Sequence, residues 1–273
     1  MAPPLQIPSD RPPDAAIVLS QQHPEIPKPI DFLGCPLHPV TTAQVMRIIL
    51  ARAASPEGAP LRVAYLNAHC SNVAAENAGY RQSLNRCDLV YADGQAVVWG
   101  ARFLGAPVPE RVNAGDFILD LCRAASRAGV SLFLLGCAEG LAEKAARAWT
   151  QQTPGLSIAG THHGFFGECD EEVVADGIRT ARPDILLVGM SVPRQEEWMD
   201  RWAERLGVPV IWCVGALFEY YAGVRPRAPR WMRRAGLEWL FRLALEPGRL
   251  WRRYLVGNLA FLRRVLTGRK RRI

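Results

Sequence analysis

The chain has no apolar run approaching the ~18–20 residues that a membrane-spanning helix needs, and none of the common ligand signatures. The absence of C-x-x-C argues against thioredoxin-like and zinc-ribbon chemistry. The lack of G-x-G-x-x-G after the first strand counts against a dinucleotide enzyme, and the lack of Lys-Ser/Thr after a glycine-rich loop excludes a P-loop. There is no D-x-D, so the metal–diphosphate clamp of many sugar-nucleotide enzymes is missing. His162-His163 lacks acidic or thiolate partners at ligand spacing. Gly189-Met190-Ser191-Val192-Pro193 places Pro where the nucleophile elbow G-x-S-x-G needs Gly, which removes the serine hydrolases. The seven cysteines (35, 70, 87, 122, 137, 169 and 213) are scattered. Without a signal-peptide pattern they read as reduced cytosolic thiols packed as small apolar groups.

Acid is scarce in one region only. The last 49 residues, from Arg225, hold 15 Arg/Lys against Glu238 and Glu246, so this tail is net +13 in a chain of net +7 and the preceding part is net −6. Trp231, Trp239, Phe241, Trp251, Tyr254 and Phe261 interleave with the arginines. Basic and aromatic together suit an anionic membrane surface or a nucleic acid. At the other end, residues 1–30 hold eight prolines and one short apolar cluster, Ala15–Leu19, and are expected to form a disordered leader.

Between these ends, β-rich runs alternate with helical patterns. Asp31–Pro39 reads as extended, and Thr41 or Thr42 can cap a helix through Ala53. Strands are expected at Arg62–Leu66, Asp88–Ala92, Ser131–Leu135, Leu156–Gly160, Asp184–Val188 and Val208–Val214. Helices are expected at Cys70–Arg81, Gln95–Phe103, from near Asp116 to Arg127, up to Thr150, and at Glu171–Arg179 and Arg194–Leu206. Such alternation predicts an α/β fold, a Rossmann-like, mostly parallel sheet with helices on both faces. The expected organisation is a leader (1–30), an α/β core (31–224) and a basic, amphipathic helical C-terminal appendage (225–273). In the appendage, Leu237–Leu245 and Leu250–Leu266 read as helices. The second places Trp251, Tyr254, Leu255, Leu259, Leu262 and Leu266 on one face, flanked by Arg252, Arg253, Arg263 and Arg264, which suits a helix in a membrane interface or one packed on the core.

Ligands of parallel sheets bind beyond the C-terminal strand ends, where Asn67, Asp93, Gly136 and Gly189 fall. Asp93 is placed for a general base, or equally for an Asp-Gly turn or helix cap. Gly136–Gly140 can cradle a phosphate with its amides or simply form a tight turn. A lone histidine such as His69 is more often structural.

Longer strings go further. Gly189-x-x-x-Pro193-x-Gln195-Glu196-x-Trp198, Val214-Gly215-x-x-Phe218-Glu219-x-x-Ala222-Gly223, Arg227-Ala228-Pro229-x-Trp231, Gly236-Leu237-Glu238-Trp239-Leu240-x-Arg242-Leu243, Glu246-Pro247-x-Arg249 and Arg253-Tyr254 run in order from Gly189 to Tyr254. In this the chain resembles the WecG/TagA/CpsF glycosyltransferase family over about residues 35–266, with Asn67, Ala92-Asp93-Gly94 and Glu110-Arg111 falling where that family places its site. The resemblance implies an inverting transfer, with no metal or other cofactor, of a hexose or N-acetylhexosamine. The donor would be a UDP-sugar and the acceptor a polyprenyl-diphosphate-linked sugar at the cytoplasmic face of the membrane, in cell-surface or exopolysaccharide synthesis. It implies that Asp93 is the base and that Asn67, Tyr65, Gly136, Gln195 and Glu196 serve the donor pocket. Arg111, Arg227 and Arg230 would neutralise diphosphate charge, and Arg233, Arg234, Arg249, Arg252 and Arg253 would meet the lipid diphosphate or membrane surface.

Four positions depart from the family pattern. Tyr65 replaces the usual Thr, Cys213 a Gly and Glu219 an Asp, and a Gly between Arg111 and Asp116 is shifted to Gly115. Tyr65 adjoins the expected site and points toward a different sugar, as in the exopolysaccharide branch that adds glucose. The expected partners are the donor, the lipid-linked acceptor and an anionic membrane surface, with no nucleic acid; a homo-oligomer stays open. The alternative is a nucleic-acid-binding α/β protein that uses the same tail for phosphates and stacking.

Overall fold

A computed structural model describes residues 24–56 and 58–270, the last two without their side chains. The part of the expected leader before Pro24 lies outside the described residues. A short antiparallel hairpin opens the fold, β1 (Ile30–Phe32) and β2 (Cys35–Leu37). Helix α1 (Thr42–Ala54) follows, with Thr41 and Gln44 forming a reciprocal capping box that satisfies two otherwise orphaned amides.

The remaining core is β3 (Leu61–Leu66), α2 (Ala68–Glu76), α3 (Ala78–Asn85), β4 (Leu89–Ala92), α4 (Gln95–Phe103), α5 (Ala114–Ala128), β5 (Ser131–Gly136), α6 (Leu141–Gln152), β6 (Ser157–His162), α7 (Glu171–Ala181), β7 (Ile185–Gly189), α8 (Arg194–Leu206), β8 (Val210–Cys213) and α9 (Leu217–Tyr221). Six strands form one wholly parallel sheet in the order β4-β3-β8-β7-β5-β6. Its central strands β7 and β8 are buried along their whole length, the condition under which a strand reads as a continuous apolar run rather than an alternation. Successive side chains of β8 serve opposite layers. Trp212 stacks on Phe117 of α5, with centroids 5.7 Å apart, and Cys213 meets Met199 of α8. Helix α8 offers the sheet a stripe of Trp198, Met199, Trp202, Ala203 and Leu206, spaced for one helical face.

The expected single helix over Cys70–Arg81 is two helices. Asn77 leaves helical conformation and its side chain accepts from Tyr80 N, so it ends α2 and caps α3. Asn favours such caps because its carboxamide competes with the backbone ladder.

The tail folds against this core as α10 (Arg230–Arg234), α11 (Glu238–Leu245), α12 (Pro247–Trp251), a wide π turn (Arg252–Val256) and α13 (Gly257–Lys270). The expected uninterrupted helix over Leu250–Leu266 is therefore divided, and of its expected apolar stripe only Tyr254 is buried, the buried face being completed by neighbouring positions. Leu250, Tyr254, Phe261 and Val265 are buried, with Phe261 against Phe32 and Val265 near Gly100 of α4. Trp251, Leu255, Leu259, Leu262 and Leu266 stay exposed, Leu259 at 69%. A π turn takes more residues than an α turn and so shifts the phase of everything beyond it. Polar clasps fix the inner face: Asn72 of α2 donates to Gly257 O at 2.7 Å, and Arg264 donates to Glu76 at 2.9 Å.

Candidate active site

The strand ends of β3, β4, β8 and β7 open into a cleft of about 460 Å³, walled on the far side by the tail. Close backbone approach shapes its floor. A Cβ on Gly94 would lie 3.3 Å from Asn67 Cβ, and one on Gly215, whose φ is +59°, would lie 2.5 Å from the Tyr65 hydroxyl. Glycine is required at Gly215 on both counts.

Asp93 sits at the end of β4, tied by its amide to Leu66 O at 2.9 Å. The next loop returns alongside it, with Val112 N donating to Ala92 O, and presents Asn113, whose Nδ2 donates to Asp93 Oδ1 at 2.6 Å. Burial pushes the Asp93 carboxyl up to about 7; Arg111 and the Asn113 amide pull it down, and Glu238 and Asp116 add to the rise. A carboxyl poised near neutral pH, on a cleft floor, has the properties of a general base. On the same cleft, burial and then Arg253 lower His69 to about 4, so the ring is neutral at pH 7.

Seven arginines line the cleft (111, 194, 225, 233, 242, 249 and 253) against the three carboxylates Asp93, Glu219 and Glu238, so it attracts anions. Five of the seven come from the tail. Some are already braced: Arg225 lies 2.8 Å from Glu219, and Arg249 pairs with Glu246. Asp116 gathers Arg111 at 2.5 Å, Arg227 at 2.9 Å and Arg233. Burial alone would raise its carboxyl, but Arg227, Arg111 and Arg233 outweigh that and hold it below the usual range. Arg253 Nε is buried with no hydrogen-bond partner among the described residues.

Of the residues singled out from the sequence, Asp93, Asn67, Tyr65, Arg111, Arg233, Arg249 and Arg253 meet on this cleft. Gln195 and Glu196 do not line it. Both are fully buried at the start of α8, whose inner face turns them under the floor. Gln195 Oε1 accepts from Gly215 N at 3.0 Å, and its Nε2 faces the Tyr65 hydroxyl at 3.3 Å and Glu196 Oε1 at 2.7 Å. Burial raises the Glu196 carboxyl to about 8, although the Gln195 amide pulls it down, so it is neutral below that pH.

Gly136 is also absent from the lining. A Cβ there would lie 2.3 Å from Gly189 O, so close strand packing requires glycine at this position, and of the Gly136–Gly140 amides that of Cys137 donates to Gly189 O at 3.0 Å. Arg227 is seated behind the cleft wall on the α5 N-terminus, while Arg230, Arg234 and Arg252 are outward and exposed. Sequence reasoning missed Asn113, Trp99, Tyr220, Trp239, Arg242 and Asn258. Arg242 and Trp239 stood within a recognised string, but nothing local marked Asn113.

Nine of the fourteen exposed large apolar side chains among the described residues belong to the tail, and Trp99 and Phe103 of the adjoining α4 add two more. No helix among the described residues is long and apolar enough to cross a membrane.

The family model described as "Glycosyl transferase WecG/TagA/CpsF family" matches residues 30–273. The chain is 29% identical over 230 residues, 84% of its own length and 87% of theirs, to N-acetylglucosaminyldiphosphoundecaprenol N-acetyl-beta-D-mannosaminyltransferases of Staphylococcus aureus strains COL and N315. The MRSA252 protein of the same name matches over the same extent. These matches give the nucleic-acid reading of the tail no support.

Proposed function

Because the chain belongs to the glycosyl transferase WecG/TagA/CpsF family and is a glycosyltransferase, we propose that it moves a hexose or N-acetylhexosamine from a UDP-sugar to a polyprenyl-diphosphate-linked sugar at an anionic membrane surface. The Asp93 carboxylate takes the proton of the acceptor hydroxyl as that oxygen bonds to the anomeric carbon. The bond from that carbon to UDP breaks, and UDP leaves with the electron pair. One displacement inverts the anomeric centre. Asn67 and Tyr65 border the reacting sugar, and the arginines stabilise the departing diphosphate without a metal clamp, as charge-assisted hydrogen bonds can.

The observation that carries this reading is the pairing of one half-buried carboxylate, held at the end of β4 by Asn113, with an arginine-lined cleft wall built by the tail. The exposed apolar ridge of Trp251, Leu255, Leu259, Leu262 and Leu266 lies on that same tail and would enter the headgroup region beside a lipid-linked acceptor. Each basic residue near an anionic leaflet adds ~1 kcal/mol at most, lowered by screening.

The acceptor named for the staphylococcal relatives, an N-acetylglucosamine on diphosphoundecaprenol, is the first to test here. The donor is decided by a panel that includes UDP-N-acetylmannosamine and UDP-glucose, run with short-chain acceptors with and without EDTA. Transfer from one donor, unaffected by EDTA and with inverted linkage by NMR, is the expected result. Transfer from no UDP-sugar, or loss of transfer with EDTA, overturns the corresponding part of the reading.

A further inference from the structure

Asn113 occupies the N-cap of α5, a position where Asn ordinarily accepts from the helix amides, yet its side chain makes no capping bond. The carboxamide instead lies between two charged groups. Its Nδ2 donates to Asp93 Oδ1 at 2.6 Å, and its Oδ1 accepts from Arg227 Nη2 at 3.1 Å. Arg227 belongs to the tail and is held by Gly115 O at 2.6 Å and Asp116 Oδ1 at 2.9 Å. The fit is close, since a Cβ on Gly115 would come within 3.0 Å of the Arg227 guanidinium carbon.

A guanidinium only donates and an ionised carboxylate only accepts, so a single orientation of the amide satisfies both sides. Turned over, it would set oxygen against carboxylate oxygen and NH2 against guanidinium. Arg227 holds that orientation only while the tail is seated. A cation at a helix N-terminus opposes the helix dipole, and the Asp116 carboxylate and Gly115 carbonyl are what offset this.

We propose that Asn113 is a positioning residue that transmits the seating of the tail to the candidate base: Arg227 locks the amide, the amide holds Asp93 Oδ1, and Oδ2 is left to take the acceptor proton. The base is then correctly oriented only in the closed enzyme, so that the reaction is withheld until the tail is docked. This rests on the reading of Asp93 as the base. The charged and titratable groups facing Asp93 are Arg111 on the preceding loop, Asp116 on α5, Glu238 on α11, Tyr65 on β3 and Tyr91 on β4.

The test uses full-length Asn113→Ala, Arg227→Gln and the double variant. Two readouts apply: the pH profile of kcat with the turning-over donor–acceptor pair, and the pH dependence of Tm without substrate, each referenced to Asp93→Asn. Losing a donor to the carboxylate favours its protonated form. Each single variant should therefore move the acid limb, and the Asp93-dependent part of the Tm profile, to higher pH. The single variants should lower kcat by roughly 10- to 100-fold, with smaller changes in KM. The double variant should move the limb no further than Asn113→Ala alone. These midpoints do not depend on the fraction of enzyme that folds. An unmoved midpoint in Asn113→Ala, or independent multiplication of the two effects in the double, overturns the relay. Wild-type turnover in Asp93→Asn would instead overturn the base assignment, while the Tm profile would still report whether Asn113 acts on Asp93.

Discussion

The floor and the far wall of the cleft solve opposite electrostatic problems. The floor is made by strand ends of the sheet, where burial dominates: Asp93 is pushed up to about 7 and Glu196 beneath it to about 8. The wall is made by the tail, and behind it, where the tail meets α5, paired charge dominates: Asp116 of α5 is held below the usual carboxylate range by Arg227, Arg111 and Arg233. The same residue type thus holds its proton more tightly than usual on one side and less tightly on the other. In the proposed reaction a low-dielectric floor would provide the base and a charged wall the anion binding, and Asn113 bonds to Asp93 on one side and to Arg227 of the tail on the other.

The largest effect expected from unbalancing the two regions is on the floor. Asp93→Asn should lower kcat by about 10²–10⁴-fold, the usual worth of a general base, while UDP binding by calorimetry stays within a few-fold. The same variant should be more stable at pH 8. The folded carboxyl keeps its proton up to about 7, whereas an unfolded one releases it near 4. Asp93 therefore destabilises the fold increasingly as pH rises from about 4 to about 7, and the penalty is full above that. Thermal melts of the two proteins should converge near pH 4 and separate by pH 8; parallel curves would show that Asp93 titrates normally.

On the wall, Arg253→Ala should weaken UDP or lipid-diphosphate binding by about 10-fold or more, because its charge faces the cleft. Retained affinity for both ligands in binding assays would remove it from the anion site. Outside the wall, Leu255, Leu259 and Leu262 changed together to Ser should cut binding to anionic vesicles in flotation assays, with turnover on a short-chain soluble acceptor within about 2-fold. Equal loss in both assays would assign the ridge to folding. The smallest change in turnover is expected beneath the floor, since Glu196 does not line the cleft. Glu196→Gln should instead raise Tm, by little at pH 4 and increasingly up to about pH 8, because the unfolded carboxyl ionises in that range while the buried one stays neutral; a difference independent of pH in thermal melts would show that Glu196 titrates normally.

The alternation of elements was legible because buried parallel strands write continuous apolar runs and their covering helices write 3.6-residue stripes. Gln95–Phe103 and Arg194–Leu206 match the expected bounds to the residue. Asp93 was legible as an acid at a strand end. The polar pair Gln195-Glu196 was not legible as buried, because a string of residue types carries no direction. Only the packing of α8 on the sheet turns those side chains under the floor.

The sequence by itself determined the α/β class, the family and the charge segregation of the tail, since these are properties of order, periodicity and composition. Tertiary structure alone decided which arginines face the cleft, which apolar face of the tail is buried, and which groups Asn113 bonds. Its two partners lie 20 and 114 residues away along the chain. Local pattern cannot encode a bond across such separations; the return of the 104–113 loop along β4 brings Asn113 to Asp93, and the packing of the tail brings Arg227 to Asn113.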